Sequence, residues 1–89
     1  MDWEVKTVKP LENHILLLTF KNDEQKYYDV KPLLETGVFK TLKDNEMFKT
    51  VRVCFDSIAW DNNVDIAPET LYYEGISVND SMKKSYGNK

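Results

Sequence analysis

The chain has 89 residues, 42% of them hydrophobic, and a formal net charge of −3. A chain this short buries only roughly 60–65% of its unfolded surface, which allows one core and one modestly stable domain. Its single cysteine, Cys54, and single histidine, His14, exclude an internal disulfide and a Cys/His zinc cluster. The longest apolar run, Ile15 to Leu18, falls far short of the roughly 20 residues that span a bilayer. The expected protein is therefore cytoplasmic, with no leader and no membrane anchor.

Trp3 to Lys9 alternates, and a half-buried strand with Trp3, Val5 and Thr7 on one face is predicted. Pro10 to Asn13 breaks it. His14 to Phe20 is apolar on both faces, which suits a central strand covered above and below. Lys21-Asn22-Asp23-Glu24 supplies turn residues, and Gln25 to Tyr28 returns as the second arm of a hairpin. Asp29-Val30-Lys31-Pro32 opens a short helix: Asp29 can accept from free backbone N–H groups, and Pro32 is tolerated in a first turn. Gly37 stops it. Two further helical turns are predicted over Phe39 to Lys43 and Asn45 to Thr50, with Asp44 as N-cap between them and Phe39, Leu42, Met47 and Phe48 as sheet contacts.

Val51 to Phe55 alternates again, with Val51, Val53 and Phe55 expected inward and Arg52 and Cys54 outward. Ser57 to Trp60 then forms a strand ending in a turn at Asp61-Asn62-Asn63. Pro68 fits the first position of a closing helix, forces Ala67 extended, and is followed by Glu69, which complements the positive helix end. Asp65 is expected to accept hydrogen bonds from backbone N–H groups near the Pro68 turn. Trp60 is expected to pack where the second hairpin meets the sheet. The fold class is α+β: a small antiparallel β-sheet with hairpins and short helices packed on it, spanning residues 1–75, followed by a polar C-terminal tail over 76–89.

The two halves echo one another. Phe20-Lys21-Asn22 leading to Asp29-Val30-Lys31-Pro32 resembles Trp60-Asp61-Asn62 leading to Asp65-Ile66-Ala67-Pro68, so both hairpins exit through Asp-aliphatic-x-Pro. A duplicated supersecondary unit and a chance recurrence of turn chemistry both account for this. Either way Asp29, Pro32, Trp60, Asp65 and Pro68 read as structural.

Charge is uneven. Between Arg52 and Lys83 there is no Lys or Arg, while Asp56, Asp61, Asp65, Glu69, Glu74 and Asp80 all fall there. Phosphate binding needs clustered positive charge, so nucleic acid is not an expected ligand; an acidic stretch suits solvent or a basic partner. Tyr and Trp favour both sheet faces and binding hot spots, and alternation turns one tyrosine of Tyr27-Tyr28 and one of Tyr72-Tyr73 outward. The candidate partner-binding residues are Asp56, Asp61, Glu69, Tyr72 and Glu74. His14 lacks an orienting partner, Cys54 lacks a cation to lower its pKa, and Asp56, Asp61, Asp65 and Glu69 lack a calcium-loop spacing. With only Gly37, Gly75 and Gly87, there is no phosphate loop. Neither catalytic residues nor a metal or cofactor are expected.

These residues resemble a bacterial family known as domain of unknown function 2442, whose fold is named after the N-terminal domain of a nitrifying bacterium's protein. The resemblance covers roughly Val5 to Tyr73. It rests on Asp29-Val30-Lys31-Pro32-Leu33-Leu34, on Gly37-Val38-Phe39-Lys40-Thr41-Leu42, and above all on the run from Trp60 to Tyr72. Where Asn63 stands the family usually carries Gly, and Asn substitutes best for Gly at positive φ. The resemblance implies a small α+β fold, no catalytic residues, and pairing with another small protein encoded nearby in toxin–antitoxin-like modules. Some relatives append a helix-turn-helix, for which residues 74–89 are too few.

The leading expectation is a non-enzymatic, antitoxin-like protein-binding domain that engages a small basic partner through an acidic C-terminal face. The alternative is a small-ligand-binding or sensory domain with its ligand between sheet and short helices. Self-association is compatible with either.

Overall fold

In the computed structural model, residues 3–78 are described. Most of the predicted polar tail, with Asp80, lies outside the described residues. Strands β1 (Val5–Leu11), β2 (Ile15–Phe20) and β3 (Gln25–Asp29) form an antiparallel meander, and β4 (Arg52–Cys54), β5 (Ser57–Ala59) and β6 (Asp65–Ile66) form a second, shorter one. Helix α2 (Pro68–Glu74) carries the chain back from the second meander to β7 (Ile76–Ser77), which pairs with β3. The result is a four-stranded sheet ordered β1-β2-β3-β7 and a three-stranded sheet ordered β4-β5-β6. Between β3 and β4 lie two 3-10 segments, Lys31–Leu33 and Gly37–Lys43, and the single turn of α1 (Asn45–Phe48).

One core joins the two sheets. Val5, Leu16, Leu18, Phe20 and Tyr28 from the larger sheet meet Ile58, Trp60 and Ile66 from the smaller, with Leu42, Phe48 and Leu71 closing the ends. Trp60 is fully buried and its indole N–H donates to the Phe48 carbonyl at 2.9 Å, so the largest side chain of the core brings no unsatisfied polar atom with it. β2 is central, as its composition requires. Leu16, Leu18 and Phe20 enter the core, while Ile15, also buried, and half-buried Leu17 occupy the opposite face, where the register places Leu17 beside Tyr27, and Tyr27 in turn beside Ile76.

Local chemistry explains most boundaries. The Asp44 carboxylate accepts from the Glu46 N–H at 3.1 Å and starts α1. Asp29 accepts from the Lys31 N–H at 2.9 Å, and Pro32 follows inside the first turn. Gly37, at φ +46, takes the left-handed step between the two 3-10 segments. Pro68 is the first helical residue of α2 and Ala67 before it is extended (φ −62, ψ 142). Gly75 ends α2 where a Cβ would come within 2.6 Å of the Leu71 carbonyl oxygen and 3.2 Å of Lys26, so only glycine lets the chain turn into β7.

Three sequence expectations change. β1 runs through Pro10 and Leu11, and a bulge between Val5 and Thr7 shifts its register. Thr7 is therefore exposed, and Val8 packs on the core in its place. Val53 and Phe55, expected inward, are 39% and 96% exposed; Val53 lies on the outer side of β4, and Phe55 belongs to the turn because β4 ends at Cys54. Ile76 and Ser77, assigned to the tail, form β7; a two-residue strand has no periodicity of its own and is recruited by Lys26 and Tyr27.

The internal echo extends to geometry, since the two hairpin turns share their hydrogen bonds and positive-φ positions. In both turns Asn accepts from the N–H two residues on, Glu24 to Asn22 at 2.9 Å and Val64 to Asn62 at 3.2 Å. The next residue, Asp23 or Asn63, has φ 69 in both, and its N–H donates to the carbonyl of the buried aromatic, Phe20 at 2.8 Å or Trp60 at 2.9 Å. Upstream, the two residues immediately before the second strand are at positive φ in both meanders: Asn13 (φ 63) and His14 (φ 59) before β2, Phe55 (φ 50) and Asp56 (φ 66) before β5.

Candidate interaction surface

The acidic stretch is less uniform in space than in sequence. Asp56 pairs with Lys21 at 2.9 Å, and that contact holds the Lys21 ammonium above its usual pKa. Asp61 pairs with Arg52 at 3.0 Å, and its N–H donates to the Thr50 hydroxyl. Glu74, at the end of α2, lies 3.4 Å from the Tyr28 hydroxyl; burial first, and then this carboxylate, push that phenol up to about 12. Glu69 in the first turn of α2 and Asp65 on β6 are exposed, and their side chains have no hydrogen bond or ion pair among the described residues. Two of the predicted carboxylates thus already hold cations, and among the described residues nothing pairs with the side chains of Glu69 and Asp65.

Tyr72 and Tyr73 divide as alternation predicts, but the outward one is Tyr73. Tyr72 stacks edge-on against Phe20 (5.0 Å), lies under the Lys26 ammonium (4.0 Å to its ring) and donates its hydroxyl to Glu24 at 2.6 Å. That hydroxyl is the main cause holding the Glu24 carboxyl below its usual pKa. Tyr73 is 70% exposed, with Trp3 beside it at 6.2 Å. Tyr73 is four positions on from Glu69, which puts the two on one face of α2. From Trp3 the chain runs to Val5, whose N–H donates to the Asp56 carbonyl at 2.9 Å, so the exposed aromatic edge leads toward the Phe55-Asp56 turn.

Phe55 was missed by sequence reasoning, although a signal existed. A strand reaching Phe55 and another starting at Ser57 leave one residue for the turn, and antiparallel strands need at least two. The observed pairing of Cys54 with Ser57 assigns Phe55 and Asp56 to that turn.

Asp65 does not cap the Pro68 turn as expected. In the first meander Val30 turns back (φ −82, ψ −14) and brings the Lys31 N–H to Asp29, whereas Ile66 continues the strand and carries the Ala67 N–H out of reach. His14 has a structural partner: its Nε2–H donates to the Leu42 carbonyl at 2.9 Å, and its ring meets Phe48 edge-on at 4.8 Å. Cys54 is a half-buried free thiol. Beside it a cleft of about 280 Å³ runs from Phe55 to Pro68. No group of three or more His, Cys, Asp or Glu residues able to hold a metal occurs among the described residues. No helix among them is long and apolar enough to cross a membrane.

A family model described as protein of unknown function (DUF2442) matches residues 5–77, from the first residue of β1 to the last of β7. The chain belongs to the DUF2442 family. The match includes both meanders, α2 and the β7 strand, so the duplicated hairpin and the return to the larger sheet lie within the family domain. No curated protein and no solved structure matches the chain.

Proposed function

We propose that this DUF2442 chain is a non-enzymatic, antitoxin-like binding domain of the bacterial cytoplasm, holding a small basic protein encoded nearby. The observation that carries this reading is the outer face of α2, where Tyr73 is 70% exposed against Trp3 and Glu69 has no cation among the described residues. Exposed aromatics supply contact area at low entropic cost, and open carboxylates steer a cationic partner and fix its register. Asp56 and Asp61 contribute less, since each already faces an intramolecular cation.

Co-purification with the product of the adjoining gene tests it. Glu69→Lys together with Tyr73→Ala is expected to abolish capture, Asp61→Lys to weaken it slightly. Undiminished capture by the double variant removes the α2 face from the account.

A small-ligand role draws on one observation, a cleft of about 440 Å³ between the first hairpin loop and α1, lined by Leu11, Asn13, Asn45 and Phe48 among others. Its volume falls within the range of roughly 300–1,000 Å³ usual for ligand sites. A thermal-shift screen against metabolites distinguishes this reading, because a ligand specific for the folded state raises the melting temperature.

A further inference from the structure

We propose that the turn residue Phe55 and the cleft beside it are the seat of the partner's chain, taking an extended segment in which a lysine or arginine lies between apolar side chains. This rests on the protein-binding reading above and names its contact point.

The first observation is the placement of Phe55. It is 96% exposed and holds φ 50 in a two-residue turn, a conformation that favours Asn, Asp and Gly and disfavours an aromatic. At the matching place in the first meander stands Asn13, at φ 63. Phe55 therefore occupies a position where its side chain neither fits the backbone preference nor buries itself. An exposed aromatic anchor serves contact with another molecule.

The second observation is the cleft. Its accessible apolar lining is Phe55, Ala67 and Pro68 over a floor of buried Ile58 and Ile66, and its single charged lining residue among those described is Asp65. The one hydroxyl in the lining, that of Ser57, donates to the Ile66 carbonyl, and the Asp65 carboxylate has no partner among the described residues. A cleft of about 280 Å³ with an exposed aromatic ring, Pro68 and one carboxylate suits a long cationic side chain: the methylenes lie against Phe55 and Pro68 and the head group reaches Asp65. β6 is the outer strand of its sheet, the kind of edge to which extended segments add.

The experiment has two arms on the full chain. In the first, acetyl-Val-Arg-Val-amide and its Gln-for-Arg counterpart are titrated while backbone amide resonances are followed. The Arg peptide is expected to shift Phe55, Ile58 and Ile66, and to lose at least tenfold in affinity in Asp65→Asn and in Phe55→Asn. In the second, affinity for the adjoining gene product is expected to fall at least tenfold in the same variants, with melting temperatures unchanged or raised. Equal binding of the Gln peptide, or retention of both affinities by Phe55→Asn, overturns the proposal. So does a homodimer that sedimentation resolves and Phe55→Asn dissociates while the peptide leaves the spectrum unmoved, since the occupant is then a second copy. If the gene product is captured by the wild type and by Phe55→Asn but not by Glu69→Lys/Tyr73→Ala, the cleft is wrong and the α2 face stands. If it is not captured at all while the Arg peptide binds as described, the cleft stands and the identity of the partner fails.

Discussion

The two meanders share a hairpin and use it differently. Both have a turn opened by a fully buried aromatic, Phe20 or Trp60, continued by Asn22 or Asn62 and tightened by a residue at φ 69. In the first meander the remaining special positions serve folding. Asn13 fills a left-handed position that suits it, and Asp29 accepts the Lys31 N–H. In the second meander the matching residues do neither: Phe55 is an aromatic in the left-handed region, and Asp65 is an open carboxylate. A framework duplicated in one chain thus provides its own control, separating residues required by the fold from residues the fold merely tolerates.

The largest expected effect tests the shared part. Trp60→Ala is expected to cost about 3–5 kcal/mol, a large share of the roughly 5–15 kcal/mol available to a domain, and to leave the Phe48 carbonyl without its donor. Phe20→Ala falls in the same range of about 3–5 kcal/mol. Chemical denaturation of both variants checks it; a mild loss at either position breaks the equivalence of the two turns.

Next come the positions where the meanders differ. Asp29→Ala removes an acceptor from a helix start and is expected to cost about 0.5–2 kcal/mol. Asp65→Ala is expected to stay within about 0.5 kcal/mol of wild type, as for an exposed side chain with no hydrogen bond or ion pair among the described residues. Melting curves of the pair decide this, and a drop for Asp65→Ala equal to that for Asp29→Ala restores the capping role expected from the sequence.

pH separates two interactions of the larger sheet. With the Tyr28 phenol raised to about 12, the unfolded chain ionises this group first as pH rises above about 10, so stability falls between those values. Tyr28→Phe is expected to flatten that part of the profile. Glu24 has a lowered pKa, so its contribution is present above the usual carboxyl range and is lost as pH falls through its folded value. Tyr72→Phe, which removes the main cause, is expected to reduce that acid loss; melting temperatures across both limbs measure these smaller shifts.

Legibility in the sequence followed the range of the interaction. Asp44 and Pro68 announce cap and first turn through local chemistry, the family resemblance implies the positive φ at Asn63, and each is found there. The bulge after Val5 and the recruitment of Ile76-Ser77 depend on partner strands distant in sequence, and no local period reveals them. At the candidate surface, Glu69 was readable as an exposed charge on α2, but which acidic residues remain open depends on Lys21 and Arg52, far from most of them. Phe55 was hidden because alternation was carried one residue too far, past the end of β4.

The most direct test of the difference between the meanders is denaturant titration of Phe55→Asn beside Asn13→Phe. The backbone cost of a bulky L-residue in the left-handed region is roughly 1–2 kcal/mol. Phe55→Asn is therefore predicted to raise the unfolding midpoint and Asn13→Phe to lower it. A lowered midpoint for Phe55→Asn would contradict the account, because it would mean that the exposed ring supports the fold it was taken to burden.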